Sequence, residues 1–266
     1  MAHGVRRLGG VTVHALCDGV GPHFRPRTEI LTGVADWAEV DRLDPGAVAP
    51  DGTWILHFHC YAIEFPDGST VLVDAGIGPA GAPSATWAPV PGRLPDELAA
   101  AGITPDRITA VVLSHLHTDH IGWAATADGP YFPHARYLLQ RAELADPDRI
   151  GPATREQVIE PLRAAGRLQL VDGQQTVVPG LTLVPTPGHT PGHQCAVLRA
   201  GDEVLAMTGD LLVHAVQLRD PAIGYGFDDD QDRARESRLG LLREMRGGTL
   251  ATAHPSTPFH LIEAES

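Results

Sequence analysis

Ser114-His115-Leu116-His117-Thr118-Asp119-His120-Ile121-Gly122 decides how this chain is read. Three imidazoles and a carboxylate fall within six positions, directly after the apolar run Ile108-Thr109-Ala110-Val111-Val112-Leu113. Such a run reads as a buried strand. His115 and His117 stand two apart, so an extended backbone points both side chains the same way. Asp119 and His120 follow where the chain should turn, and aim at a second point. Polar groups at this density are costly to bury without partners. A metal centre supplies a reason to gather them.

Three further apolar runs end in metal-capable residues. Leu181-Thr182-Leu183-Val184-Pro185 leads into Thr186-Pro187-Gly188-His189-Thr190-Pro191-Gly192-His193. Glu203-Val204-Leu205-Ala206-Met207 leads into Thr208-Gly209-Asp210, and Thr249-Leu250-Ala251-Thr252-Ala253 into His254-Pro255. In layered α/β proteins, sites form at strand ends from the loops that leave them. One sheet edge can therefore gather His115, His117, Asp119, His120, His189, Asp210 and His254.

This constellation resembles the metallo-β-lactamase-fold hydrolase superfamily. The H-x-H-x-D-H run at His115, His117, Asp119 and His120 matches, followed in order by His189, Asp210 and His254. Asp74, in Val71-Leu72-Val73-Asp74-Ala75-Gly76, matches the family's early aspartate at a strand end. The likeness runs from about residue 55 to 258. It implies an α/β fold, the four-layer αββα sandwich, with residues 1–266 forming a single domain. It also implies two divalent ions. His115, His117 and His189 would hold one, and Asp119, His120 and His254 the other, with Asp210 bridging. Zinc (Zn2+) is the first choice because the superfamily uses it most; nitrogen and oxygen donors also suit manganese, iron or cobalt. The function implied is hydrolysis of a small ester, lactone, thioester or phosphotriester by a metal-bridging hydroxide. Asp119 would double as the catalytic proton-transfer group, with Asp74 and His193 standing behind the ligands. The alternative function is redox or non-hydrolytic biosynthetic chemistry at the same centre.

Asp119-His120-Ile121-Gly122-Trp123, Ala251-Thr252-Ala253-His254-Pro255 and Gly209-Asp210-Leu211-Leu212-Val213-His214-Ala215-Val216-Gln217 look similar to one branch of the superfamily. It is the branch of quorum-quenching lactonases and methyl-parathion-type hydrolases. Its lactonases carry a tyrosine three residues past the bridging aspartate that helps hold the substrate carbonyl. Val213 stands there in this chain, and His214 is the nearest polar side chain, expected to face the substrate. Residues 78–95 hold five prolines and three glycines around Trp87, and long irregular loops often act as lids. Trp87 with Trp123, Tyr225 and Phe227 is expected to form an apolar wall over the metals.

Composition bounds the partners. The chain has 266 residues, 43% hydrophobic and 20% charged, with a formal net charge of −13. That charge disfavours nucleic acid, so the expected partner is a small molecule. No run approaches the length of a membrane span. All 20 basic residues are arginine, so no lysine is on hand to grip a carboxylate. Arg6-Arg7 lacks a following apolar stretch and reads as part of an entry strand, not an export signal. Cys17, Cys60 and Cys195 lie in or beside apolar runs without a C-x-x-C, and read as buried free thiols in a reducing cytoplasm.

Trp54–Phe65 and Ser69–Asp74 form an expected hairpin about Pro66-Asp67-Gly68. Residues 139–147 and 153–166 look helical, and Asp230–Arg246 looks like a longer amphipathic helix with Leu239, Leu242 and Met245 on one face. Gly76-Ile77-Gly78-Pro79-Ala80-Gly81 spells a dinucleotide fingerprint, but the prolines that follow forbid its helix. His57-Phe58-His59 places two imidazoles on one strand face, read as hydrogen-bonded core histidines. Asp228-Asp229-Asp230 reads as a solvated loop and helix N-terminus. His14, His23, His134 and His260 carry no supporting pattern.

Overall fold

The structure, a computed structural model, describes residues 4–264. Its first sheet contains β1 (Val5–Leu8), β2 (Val11–Pro22), β3 (Ile55–Glu64), β4 (Thr70–Val73), β5 (Ile108–Val112), β6 (Arg136–Gln140) and β7 (Leu168–Val171), paired in that order. β1 to β4 run antiparallel, and β4 to β7 run parallel. Parallel neighbours need a crossover. Before them, α1 (Trp37–Leu43) fills the link between β2 and β3, its first turn capped by the Asp36 side chain. α2 (Leu94–Ala100) lies between β4 and β5, α3 (Thr118–Ile121) between β5 and β6, and α4 (Glu160–Ala164) between β6 and β7.

The second sheet is β8 (Gln175–Val178), β9 (Leu181–Pro185), β10 (Gln194–Ala200), β11 (Glu203–Met207), β12 (Thr249–Ala251) and β13 (Phe259–Leu261), again in chain order. Its one parallel pair, β11 with β12, is spanned by the long helix α5 (Gln231–Glu244).

Residues alternate across each strand, so each sheet has two apolar faces to cover. Val13, Ile63, Val73 and Val112 of the first sheet meet Leu183, Ala196, Met207 and Ala251 of the second. On the outer side of the first sheet, Leu72, Val111 and Leu139 pack on Leu94, Leu98, Val158 and Leu162. On the outer side of the second, Val197, Ala206 and Leu250 pack on Leu241 of α5 and on Met245 just past its end. The result is helix, sheet, sheet, helix. Each such fully buried Val or Leu is worth roughly 1.5–3 kcal/mol.

Two local expectations fail. Leu139 and Gln140 belong to β6, and two short tight helical turns, Arg141–Leu144 and Pro147–Arg149, follow in place of a helix. Tyr137, Leu138 and Leu139 are buried between β5 and β7, and that burial overrides helix propensity. On α5 the buried residues are Ala234, Arg238 and Leu241, continuing to Met245, while Leu239 and Leu242 are half-buried. The sequence pattern excludes Arg238 from a core-facing stripe because it carries a charge. Among the described residues no helix is long and apolar enough to cross a membrane.

Candidate metal centre

The centre forms where β4, β5, β9, β11 and β12 end side by side. After β4 the chain enters Asp74 at φ 60°, a left-handed conformation that costs a non-glycine residue of order 1–3 kcal/mol. Hydrogen bonds hold it there. Asp74 Oδ1 accepts from Ser114 N at 2.8 Å, and Oδ2 accepts from Ser114 Oγ at 2.9 Å and His120 Nδ1 at 2.8 Å. Ser114 Oγ in turn lies 2.9 Å from His115 Nδ1. One carboxylate thus orients two imidazoles. Past α3, Gly122 is required because a Cβ there would collide with the Ile77–Gly78 backbone.

The same logic repeats around the centre. His189 Nδ1 donates to Asp228 Oδ1 at 3.0 Å, and His254 Nδ1 donates to the His57 carbonyl at 2.9 Å. Gly188 (φ 135°) brings the His189 loop against the Ala234 backbone of α5, where a Cβ would not fit. His193 accepts from Asp210 N through Nε2 at 3.1 Å and turns Nδ1 to Thr186 Oγ1 at 2.8 Å. It therefore positions the Asp210 backbone. Burial lowers its pKa to about 3, so it stays neutral.

With Nδ1 engaged, four imidazoles present Nε2 inward. The two oxygens of Asp210 divide these groups. Oδ2 faces His189 Nε2 at 3.3 Å and His115 Nε2 at 3.8 Å, and His117 Nδ1 stands 2.9 Å from His189 Nε2. Oδ1 faces His254 Nε2 at 2.9 Å and His120 Nε2 at 3.1 Å, while Asp119 Oδ2 is 3.5 Å from each of those nitrogens. Metal–ligand bonds of about 2.0–2.2 Å place neighbouring donors roughly 3–3.5 Å apart, and the separations here run from 2.9 to 3.8 Å.

Several of these atoms have no hydrogen-bond partner: His115 Nε2, His120 Nε2 and Asp210 Oδ1 are buried without one. Donors that face each other, buried and unpaired, fit divalent cations between them. The electrostatics agree. Burial and neighbouring imidazoles hold His115 and His117 well below the ordinary imidazole range. Burial also pushes the Asp119 carboxyl up. Burial opposes the charge on Asp210, but His254 and His120 outweigh it and hold the carboxyl well down.

Beside the donors lies a cavity of about 260 Å³ lined by Trp87, Tyr225, Phe227, His23, Phe24 and Leu56 together with His117, Asp119, Asp210 and His254. Trp87 is pinned by Nε1 donating to Thr118 Oγ1 at 3.0 Å, and Phe24 is 54% exposed at the mouth. Tyr225 stacks on His189 at 5.8 Å and 23°. A larger cleft of about 580 Å³ between Pro79 and Pro161 contains none of the seven donors.

Two expected pocket residues lie elsewhere. His214 does not line the cavity: its Nδ1 accepts from Val216 N at 3.0 Å and its ring meets Trp54 edge-on. The tight turn into Val216–Arg219 folds it back on its own backbone. Trp123 is likewise absent from the lining; its Nε1 donates to Asp18 Oδ1 at 3.1 Å and it packs on Tyr131.

Other residues were missed. Asp228 is buried beneath His189 and lies 3.5 Å from the buried Arg238, so it is no solvated loop residue; only Asp230 caps α5. Glu143 accepts from Leu116 N at 3.0 Å and Gly192 N at 2.7 Å, tying the two histidine loops together. His23, Phe24 and Leu56 reach the cavity from the ends of β2 and β3. A histidine–phenylalanine pair after a strand is a weak signal, and Asp228 and Glu143 had none.

The sequence pattern described as Metallo-beta-lactamase superfamily matches residues 58–256. An N-acyl homoserine lactonase, AttM, of Rhizobium johnstonii is 30% identical over 219 residues, 73% of this chain and 80% of the relative. An N-acyl homoserine lactonase of a Bacillus species is 29% identical over 171 residues, 59% of this chain and 62% of the relative, so the match spans less than two thirds of that protein. Among solved structures, AidC, described as a dizinc quorum-quenching lactonase in complex with a product, superposes with a TM-score of 0.78 at 22% identity, over 99% of this chain and 94% of that one.

Proposed function

Because the chain belongs to the metallo-beta-lactamase superfamily, we propose that it is a dinuclear metal-dependent hydrolase whose first substrate class is small lactones carrying an apolar tail. The observation that carries this reading is the division of the donors by Asp210, one carboxylate oxygen toward each trio. A pair of divalent ions, when bound, supplies a nucleophile of lowered pKa and polarises the substrate carbonyl. His115, His117 and His189 would hold one ion, and Asp119, His120 and His254 the other. Zinc is the ion this donor set suits first.

The chain's own residues supply the rest. Asp119 lines the cavity, and burial raises its carboxyl, which suits a group that takes up a proton and passes it to a leaving ring oxygen. Burial and the carboxylates of Asp210, Asp119 and Asp228 keep the Tyr225 phenol protonated, well above its ordinary range. Because Tyr225 also lines the cavity, its phenol is the group assigned to donate to a substrate oxygen. Trp87, Phe24 and Phe227 accept an acyl or aryl tail and shed its water. The relatives named N-acyl homoserine lactonase make a lactone with an acyl-amide tail the first compound to assay.

Metal-loaded protein assayed on lactones, carboxylic esters, thioesters and phosphotriesters tests the reading. The expected result is the highest kcat/KM on a tailed lactone, lost on chelation and restored by zinc. Phosphotriester turnover without lactone turnover would refute the substrate class. An iron-bearing protein with no hydrolytic activity would refute the hydrolase itself.

A further inference from the structure

Three donors outside that centre converge on the side of the first sheet that faces the second. Cys17 is the cross-strand partner of His59, and His57 lies two residues before His59 on the same face of β3. β2 bulges here: the two steps from His59 to His57 are matched by three from Cys17 to Val20. A bulge re-aims side chains. Cys17 stays on the inner face, whereas Asp18 turns away to accept from Ile77 N and Leu94 N.

The resulting geometry is close. Cys17 Sγ lies 3.9 Å from His57 Nδ1, and the rings of His57 and His59 stack at 5.5 Å and 21°. One donor atom from each of the three lies within 4.8 Å of the other two. His59 is buried, and its Nδ1 has no hydrogen-bond partner. His59 is thus a core histidine hydrogen-bonded on one side of its ring only. Each ring also has backbone carbonyls beside it, Gly46 for His57, and Ala253 and Thr252 for His59. A ring nitrogen that donates to a carbonyl leaves the other free to ligate.

We propose that Cys17, His57 and His59 form a separate site for a soft transition-metal ion of the zinc class, held through one thiolate and two imidazoles. Zn–S near 2.3 Å and Zn–N near 2.1 Å put sulfur and nitrogen about 3.6 Å apart in a tetrahedron, so little movement is needed. Cys17 and His57 are half-buried, which leaves a path for the ion and a water for its fourth position. Binding exchanges the Cys17 thiol proton for the metal, releasing one proton per ion. The His57 carbonyl also accepts from His254 Nδ1, so an ion here would steady the strand segment that orients one side of the hydrolytic centre.

Co2+ is the probe. The seven donors of the hydrolytic centre include no sulfur, so thiolate-to-cobalt charge-transfer absorption in the near ultraviolet reports on this site alone. Metal-free full-length protein is titrated with Co2+ until uptake saturates. The expected result is a near-ultraviolet band of one thiolate ligand, lost entirely in Cys17→Ser, whose uptake falls by one ion per chain. His115→Ala should keep the band while losing metal from the other centre. A saturated wild-type protein with no such band overturns the proposal without recourse to any variant. A band that survives in Cys17→Ser overturns it as well.

Discussion

Asp228→Asn separates orientation of a metal ligand from ligation itself. Asp228 Oδ1 accepts from His189 Nδ1 at 3.0 Å, and Oδ2 lies 3.5 Å from Arg238 Nη2. Asparagine has nearly the same volume and still offers one acceptor oxygen. What disappears is the charge that makes His189 a better donor. Loss of such an orienting partner typically lowers metal affinity 10–100-fold, about 1.4–2.8 kcal/mol at 1.4 per decade. The effect should fall on the ion held with His189. The other side is oriented by Asp74 and the His57 carbonyl, which the substitution does not touch. Arg238 keeps the carbonyls of Leu211, Pro221 and Ile223 but loses its buried counter-charge, a change that can cost about 3–5 kcal/mol of stability. Chelator competition measures the two affinities, and urea unfolding of metal-free protein measures the stability separately. Equal affinity for both ions in the wild type and Asp228→Asn, with folding intact, would refute the orienting role.

Other outcomes follow from the same geometry. Asp119→Asn should lower kcat by about 10²–10⁴-fold, the usual weight of a proton-transfer group; unchanged kcat at full metal occupancy would make Asp119 merely structural. Tyr225→Phe should reduce kcat/KM on the best lactone by about 5–10-fold, matching a neutral hydrogen bond of about 1 kcal/mol, with metal content unaltered; unchanged kinetics would remove the phenol from the reaction. His214→Phe should leave kinetics alone and cost about 1 kcal/mol in unfolding, because Val216 N loses its acceptor; altered KM would place His214 back in the pocket. Burial holds His23 and His214 at about 4 and His193 at about 3, below the ordinary 6.5. The unfolded chain therefore takes up protons first as pH falls below 6.5, and these groups lower stability between pH 6.5 and about 4. Asp18, raised by burial to about 6, and Asp119, also raised by burial, act in the opposite sense over part of that range, but His59, held by burial at about 3, joins the three lowered imidazoles. Urea midpoints should fall from pH 7 to pH 5; a rising midpoint would contradict the assignment of neutral buried imidazoles.

The sheet framework is legible because strands buried on both faces are written as continuous apolar runs, and the loops leaving them carry the donors. β6 escapes that logic: Tyr137-Leu138-Leu139 is too short to show a period, and its burial is decided by β5 and β7 on either side. Asp228, Glu143 and Arg238 escape for a related reason. Each is a charged residue in a segment that reads as solvent-facing, and only the folded neighbours supply its partner. The aromatic wall divides likewise. Trp87, Tyr225 and Phe227 reach the cavity, whereas Trp123, three residues past His120, turns beneath the loops toward Asp18. Proximity along the chain to a metal-capable residue says little about direction once the backbone has turned. Cys17 and His59 meet as cross-strand partners of β2 and β3, a pairing that no periodicity within either strand records.

Anomalous diffraction at the zinc edge, from crystals of the zinc-loaded protein, tests the dinuclear reading most directly. Two peaks flanking Asp210, about 3.5–4 Å apart, are predicted. One should lie among His115, His117 and His189, and the other among Asp119, His120 and His254. A single peak at this position in protein that hydrolyses lactones at full rate, or none, would contradict it.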